Sequence, residues 1–253
     1  MHPVSSMASL SLQPLDHHAA ILCDLDGCLI TGDHVYDGAR GFVARNAGRL
    51  WIVSNNSSDT AETLSARLHG MALPITPERI VLAGEQTVRQ LARKHPGARI
   101  ALHAEAPIRD LASDLGLAVD EGAPECILLA RQTTFDLNSL GRLLAQLESG
   151  AALHVANLDR THPGPNGHPM PETGALLAAL RACRPDVSFR SIGKPAPDLI
   201  DIALKHADAA RDDAIFIGDN PETDGLAARA AGIAFIHLEA PGNPPARDRR
   251  AAC

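Results

Sequence analysis

An α/β fold is predicted by three features of this 253-residue chain. Short, nearly continuous apolar runs recur along it, segments with helical signatures separate them, and no unit of roughly 20–50 residues repeats. A continuous apolar run bounded by polar residues suits a strand covered on both faces. Strands that alternate with helices imply parallel pairing through right-handed crossovers, and the missing repeat excludes solenoids and propellers.

The runs come in order at 19–25 (AAILCDL), 50–53 (LWIV), 98–103 (ARIALH), 126–130 (CILLA), 151–156 (AALHVA), 214–218 (AIFIG) and 233–238 (IAFIHL). After the second run, Asp59 is placed to cap a helix, with Glu62 at the third position. Thr76-Pro77-Glu78 is expected to open another, with proline in its first turn. Residues 84–97 and 159–186 read as hinges; the second holds Pro163, Pro165, Pro169, Pro171 and Pro185 with Gly164 and Gly167, too many breakers for one element. Segment 1–18 reads as flexible, and the proline- and arginine-rich tail 239–253 as loose.

Composition narrows the partners. Hydrophobic residues at 45% and charged residues at 21% are ordinary for a globular protein with a sizeable core. With 30 acidic and 23 basic residues the net charge is −7, which repels phosphate backbones, so no nucleic-acid polymer is expected as a partner. No apolar run approaches the ~18 residues of a membrane helix, so no membrane partner is expected either. Met1 to His18 lacks Lys, Arg and an apolar stretch of signal-peptide length. The five cysteines (Cys23, Cys28, Cys126, Cys183, Cys253) are odd in number, scattered and without a CxxC pair, which fits reduced thiols in a cytoplasmic protein. A homodimer stays open.

Four polar clusters follow apolar strands or open helices. The first is Asp24-Leu25-Asp26-Gly27-Cys28-Leu29, which a turn alone would explain. A calcium loop does not fit it, because Leu29 and Val35 stand where Gly and Glu are required. The second is Ser54-Asn55-Asn56-Ser57-Ser58, either a capping loop or, with Ser58 and Asp59 serving as caps, a place where Ser54 and Asn55 are free to bind an anion. The third is Gly193-Lys194-Pro195, ahead of an apolar-periodic helix; Lys194 is one of only three lysines, and it reads first as an ordinary surface lysine, or else as a compact ammonium suited to a phosphoryl oxygen. The fourth is Gly218-Asp219-Asn220 with Thr223-Asp224, a turn or a pair of carboxylates suited to Mg²⁺. Strand ends are where open α/β sheets place their ligands.

Taken in order, DxDGxL, a strand ending in SNN, GKP, and a strand ending in GDNxxTD resemble the haloacid dehalogenase superfamily of aspartate-nucleophile phosphohydrolases, from about residue 19 to residue 238. The resemblance implies a Rossmann-like doubly wound parallel core with an inserted α/β cap domain. The 140-residue gap between Ser54 and Lys194 has room for that cap, here 84–182, leaving 19–83 plus 183–238 as the core. An insertion there is similar to the subgroup of NagD-like, para-nitrophenyl, phosphoglycolate and pyridoxal phosphate phosphatases. ITPERIVLAGEQTVRQLA and HVANLDRTHP…GHPMPETGALLAAL look like its segments entering and leaving the cap, whereas the terminal IHLEAPGN departs from its usual threonine–glycine pair.

By that resemblance Asp24 is the nucleophile and Asp26 the general acid–base group. Lys194, Ser54, Asn55 and Asn56 meet the phosphoryl group, and Mg²⁺ is held by Asp24, the Asp26 carbonyl and Asp219, with Asp224 supporting the site or orienting Lys194. The retained second aspartate favours phosphate esters, whose alkoxide leaving group needs a proton. In the cap, Asn157, Asp159 and Arg160 either read the substrate or form an ordinary capped loop. His154, His162 and His168 match no zinc spacing. Cys23 and Cys28 are expected to be small buried hydrophobes. The implied partner is a small phosphorylated metabolite. The alternatives are phosphotransfer to a sugar hydroxyl and a catalytically silent metabolite-binding protein.

Overall fold

The computed structural model describes residues 4–7, 10, 15–164 and 168–239. The expected loose tail, Cys253, Pro165 and Gly167 therefore lie outside the described residues, apart from Glu239. Its centre is a six-stranded sheet in the spatial order Val4–Met7, Ala234–Leu238, Ala214–Gly218, Ala20–Cys23, Leu50–Ser54, Ile80–Leu82. Every neighbouring pair is parallel. Segment 1–18, expected to be flexible, thus supplies an edge strand.

Alternation along each strand divides the core into two layers, because successive side chains point to opposite faces. On one face Ile21, Cys23, Ile52 and Ile217 pack with Phe42 and Val43 of the helix Ala39–Asn46 and with Leu64 and Leu68 of the helix Ala61–Gly70. On the other, Leu22, Trp51, Val53 and Phe216 pack with Leu199, Ile200 and Ala203 of the helix Asp198–Ala207 and with Ala227 and Ala228 of the helix Leu226–Ala231. Each fully buried Leu, Ile or Phe contributes roughly 1.5–3 kcal/mol of transfer free energy. Helices on both faces make this a doubly wound sheet.

Between Leu82 and the GKP loop the chain builds a second, smaller sheet, ordered Ala152–Val155, Cys126–Leu129, Arg99–His103, Ala118–Val119, also all parallel. Helices Ala83–Lys94 and Ala106–Asp114 cover one face through Val88, Leu91, Ile108 and Ala112. Helices Leu137–Glu148 and Thr173–Cys183 cover the other through Leu143, Leu147, Leu177 and Leu180. This is the inserted α/β cap. No helix among the described residues is long and apolar enough to cross a membrane.

Several local expectations are corrected. The helix Ala61–Gly70 is capped by Thr60, whose hydroxyl accepts from the Thr63 N–H while Thr63 returns the bond, so Thr63 rather than Glu62 closes the box and Asp59 is not the cap. Thr76-Pro77-Glu78 opens no long helix: a single 3-10 turn, Pro77–Arg79, leads into the strand Ile80–Leu82. Those three apolar residues gain more by pairing with Leu50–Ser54 and burying both faces than by extending a helix. The proposed hinge at 84–97 is mostly the helix Ala83–Lys94, and the one at 159–186 is an antiparallel hairpin, Thr161–Pro163 with Pro169–Pro171, followed by a helix. Prolines fit that hairpin because a two-stranded ribbon has only edge strands.

Candidate active site

The four clusters meet at the carboxyl edge of the large sheet. Asp24 follows the strand Ala20–Cys23 and its N–H donates to the Ile217 carbonyl of the neighbouring strand at 2.9 Å. The chain then turns tightly, with the Leu25 carbonyl accepting from the N–H groups of Cys28, Leu29 and Ile30. Gly27 makes the turn possible twice over. Its φ is +84°, and a Cβ there would collide with the Asp219 carboxylate. Gly218 is required in the same way, since a Cβ would strike the Asp224 side chain. Cys23, at the end of the strand, and Cys28, within the loop, are free and buried, as expected.

Lys194 is the hub of the charges. Its Nζ lies 2.8 Å from Asp24 Oδ1 and 2.7 Å from Asp224 Oδ1, and 5.3 Å from the centre of the Phe216 ring. Only 2% of its surface is exposed. The two carboxylates outweigh the desolvation that would lower its pKa and hold it firmly protonated. Asp224 is fully buried and also accepts from the Asn220 N–H at 3.2 Å, so both of its oxygens are engaged by the protein. That suits the orienting role more than direct coordination of a metal.

Asp24, Asp219 and Asp224 each present a carboxylate oxygen within 4.8 Å of the others. Three acidic groups thus surround a single ammonium. Burial, then the charges of Asp24 and Asp224, push Asp219 up to about 8 despite Lys194. Burial likewise raises Asp24 to about 6 against the pull of Lys194. Such a deficit of positive charge around hard oxygen donors fits a divalent cation such as Mg²⁺. Asp26, two residues past Asp24, is raised to about 6 by burial and by Asp24, with Arg67 and His162 opposing.

The SNN cluster does something different from what its sequence suggests. Asn55 is not free for an anion: its Oδ1 accepts from the Lys194 N–H at 2.7 Å, and its Nδ2 donates to the Lys194 carbonyl at 3.0 Å and to Asp159 Oδ2 at 2.9 Å. Ser54 Oγ accepts from the Asn56 N–H at 3.1 Å, and the Asn56 side chain is tied to Ser58 and Asp59. Ser54, Asn55 and Asn56 all still line the cleft.

Asn157 is corrected as a substrate-contacting residue. It is 1% exposed, and its Nδ2 donates to the Asn55 carbonyl at 2.8 Å and faces the Ser57 and Thr173 hydroxyls at 3.2 Å each. It joins cap to core, beside Gly193, whose Cβ would lie 2.6 Å from the Ala156 carbonyl.

Asp159, by contrast, lines a cleft of about 650 Å³ between the two sheets. Asp24, Asp26, Lys194 and Asp219 form its floor. Arg160, weighed from the sequence as a substrate-reading residue, also lines it, as do Arg67, Arg131, His162 and Glu172, which were not expected there; His162 was weighed only for a metal. Arg131 follows the strand Cys126–Leu129 by two residues, so the strand-end rule that locates Asp24 could have found it. Glu172 could be found as the N-cap of the helix Thr173–Cys183. Among the described residues that line the cleft there is no Phe, Tyr or Trp.

Comparison with known proteins agrees with this geometry. The family described as haloacid dehalogenase-like hydrolase matches residues 21–118, and a HAD-hydrolase-like family matches 191–243. The chain is 29% identical over 220 residues to D-glycerol 3-phosphate phosphatase of Mycobacterium tuberculosis, covering 85% of this chain and 61% of that protein. It therefore spans about three fifths of that relative's length. It is 28% identical over 232 residues to dihydroxyacetone phosphatase of Corynebacterium glutamicum, covering 90% and 84% of the two chains. The fold superposes on a 4-nitrophenylphosphatase from Thermotoga maritima with a TM-score of 0.84, 24% identity and coverage of 94% and 92%. It also superposes on the glycerol phosphate phosphatase from M. tuberculosis in complex with magnesium, with a TM-score of 0.82, 28% identity and coverage of 94% and 72%. The first match carries Asp24 and Asp26 and runs past the large sheet into the cap, the second carries Lys194, Asp219 and Asp224, and together they span more than half of the sequence; this chain belongs to the haloacid dehalogenase-like hydrolases.

Proposed function

We propose that the protein is a Mg²⁺-dependent phosphatase that hydrolyses a small phosphate monoester, with Asp24 as nucleophile. The observation that carries this reading is the Lys194 ammonium held 2.8 Å from Asp24 and 2.7 Å from Asp224, with Asp219 in the same carboxylate cluster. The named activities of the mycobacterial and corynebacterial relatives point to small polyol or sugar phosphates as the substrate class.

In the first step an Asp24 carboxylate oxygen attacks phosphorus while the bond to the leaving oxygen breaks, and Asp26 gives that oxygen a proton. The product is an aspartyl phosphate on Asp24 and a free alcohol. In the second step Asp26, now ionised, takes a proton from water, whose oxygen attacks phosphorus and releases inorganic phosphate and the Asp24 carboxylate. The raised pKa of Asp26 suits a group that must be protonated in one step and ionised in the next. Lys194 keeps positive charge against Asp24 and the phosphoryl oxygens throughout. Mg²⁺ held by Asp24, Asp219 and the Asp26 carbonyl, with Asp224 supporting, would neutralise phosphoryl charge when bound.

Within this reading the cap runs from residue 84 to about 190, beyond 182, because Val187 packs with Leu177 and Leu180 and Arg190 bridges to His154. The test is release of inorganic phosphate from glycerol phosphate, dihydroxyacetone phosphate and para-nitrophenyl phosphate with and without Mg²⁺. Absence of release from all three, at any Mg²⁺ concentration, rejects a phosphatase of this class.

A further inference from the structure

Glu172 stands on the cap wall of the cleft, across from the acidic floor. Its side chain is 14% exposed. One oxygen, Oε1, lies 2.7 Å from His162 Nδ1 and 3.5 Å from Arg131 Nε, while Oε2 accepts from the Thr173 N–H at 3.3 Å. Three stretches of the cap therefore hold this carboxylate: the end of a strand, the hairpin and the helix start. A carboxylate has about four acceptor directions, and only the Thr173 N–H fills one with hydrogen-bond geometry, because Arg131 Nε and His162 Nδ1 approach as ion-pair contacts. Glu172 can accept one more hydrogen bond without leaving its partners.

The wall around it narrows the choice of what that donor is. Asp159 adds a second carboxylate, fastened to Asn55, and the charge of Glu172 is felt by both Asp26 and Asp159 in the same cleft. Arg131, which would otherwise attract an acidic substrate, is already paired with Glu172. Among the described residues that line the cleft, Leu158 is the one large apolar side chain and none is Phe, Tyr or Trp, so a flat aromatic leaving group finds little apolar surface. An alcohol bearing hydroxyls finds acceptors on this wall; a carboxylate placed beside Glu172 and Asp159 meets like charge, offset in part by the Arg160 guanidinium that also lines the cleft.

Resting on the phosphatase reading above, we propose that Glu172 is the specificity-determining residue of the cleft: pinned by Arg131 and His162, it accepts a hydroxyl of a polyol phosphate and rejects phosphate esters whose leaving group carries a carboxylate. A plain helix cap in the same position would affect every substrate alike. This assignment requires the substrates to diverge.

The experiment compares kcat and KM for glycerol phosphate and phosphoglycolate in the wild type, Glu172→Gln and Glu172→Asp, with Mg²⁺ present. Replacing the carboxylate by an amide should raise KM for glycerol phosphate and lower it for phosphoglycolate, so that the ratio of their kcat/KM values falls about tenfold or more. Glu172→Asp keeps the charge and the cap and should retain the wild-type preference. A ratio that stays within twofold in Glu172→Gln, or a drop shared equally by both substrates, overturns the proposal and leaves the phosphatase reading intact. Should Glu172→Gln fail to fold, His162→Gln, which loosens the same carboxylate, should also lower the ratio, and an unchanged ratio there overturns the proposal. A wild-type protein that cleaves neither ester, nor para-nitrophenyl phosphate, overturns the phosphatase reading itself.

Discussion

The side-chain amide of Asn55 grips the main chain of Lys194 from both sides, accepting from its N–H at 2.7 Å and donating to its carbonyl at 3.0 Å. The residues are 139 positions apart, yet the second cluster in the chain sets the position of the third. Lys194 points at Asp24 and Asp224 because its backbone is held there.

Asn55→Ala should therefore cost both stability and turnover. Two buried backbone groups of Lys194 lose their partner, at roughly 1–3 kcal/mol each. Denaturant melts should show a loss of about 2–3 kcal/mol, and kcat should fall roughly 10–100-fold as the ammonium loosens. Full activity with a loosened fold would show that the grip on Lys194 does not matter for chemistry.

Asp24→Asn should abolish phosphate release, by at least about a thousandfold, without unfolding the protein. It also removes one of three crowded carboxylates, so the metal-free variant should melt no lower than the wild type. Steady phosphate release by the variant contradicts the nucleophile assignment.

Saturating Mg²⁺ should raise the melting temperature, since a ligand at about 100 times its Kd stabilises by about 2.7 kcal/mol. Chelation with EDTA should remove both this gain and the activity. Asp219→Asn should weaken the Mg²⁺ dependence of melting about tenfold or more. An identical Mg²⁺ titration in Asp219→Asn places the ion elsewhere.

Gly193→Ala should destabilise by about 1–3 kcal/mol, because its Cβ would meet the Ala156 carbonyl at 2.6 Å and Asn157 Cα at 3.0 Å, backbone that cannot swing aside. Gly48→Ala, with no neighbouring atom within 4 Å, is the matched control. Equal melting curves for the two variants would mean that cap and core do not approach as closely at this glycine.

Acid should weaken the fold through His154. Burial, then the charge of Arg190, lowers it to about 4. Below its ordinary pKa near 6.5 the unfolded chain takes up a proton that the folded chain refuses until about pH 4, so stability falls as pH drops across that window. Near pH 5 the contribution is on the order of 1–2 kcal/mol. His154→Gln should flatten this part of the stability profile between pH 7 and 5, and an unchanged slope in urea melts would assign the acid sensitivity to other groups.

The sequence conveys the strands of the large sheet because Ile21, Leu22, Ile52, Phe216 and Ile217 are buried on both faces, which demands unbroken apolar runs. It hides Ile80–Leu82, a three-residue strand behind a proline turn that imitates a helix start. The floor of the cleft is legible since Asp24, Asp26 and Asp219 sit next to strand ends. Its wall is not: Arg131, His162 and Glu172 come from three separate places in the cap, and no local pattern announces that they converge. Asn55 and Asn157 look like ligand-binding amides in the sequence, but both bond mainly to the protein itself, a choice that only tertiary contact decides.

Strand order also bears on how the chain comes off the ribosome. Ala20–Cys23 sits between Leu50–Ser54, made soon after it, and Ala214–Gly218, made in the last quarter of the chain. At about 5–20 residues per second the second neighbour arrives on the order of ten seconds or more later. For that interval the strand that leads to Asp24 has one unpaired edge, while the cap, whose sheet needs only residues 99–155, can already be complete. The upper wall of the cleft can thus form before its floor.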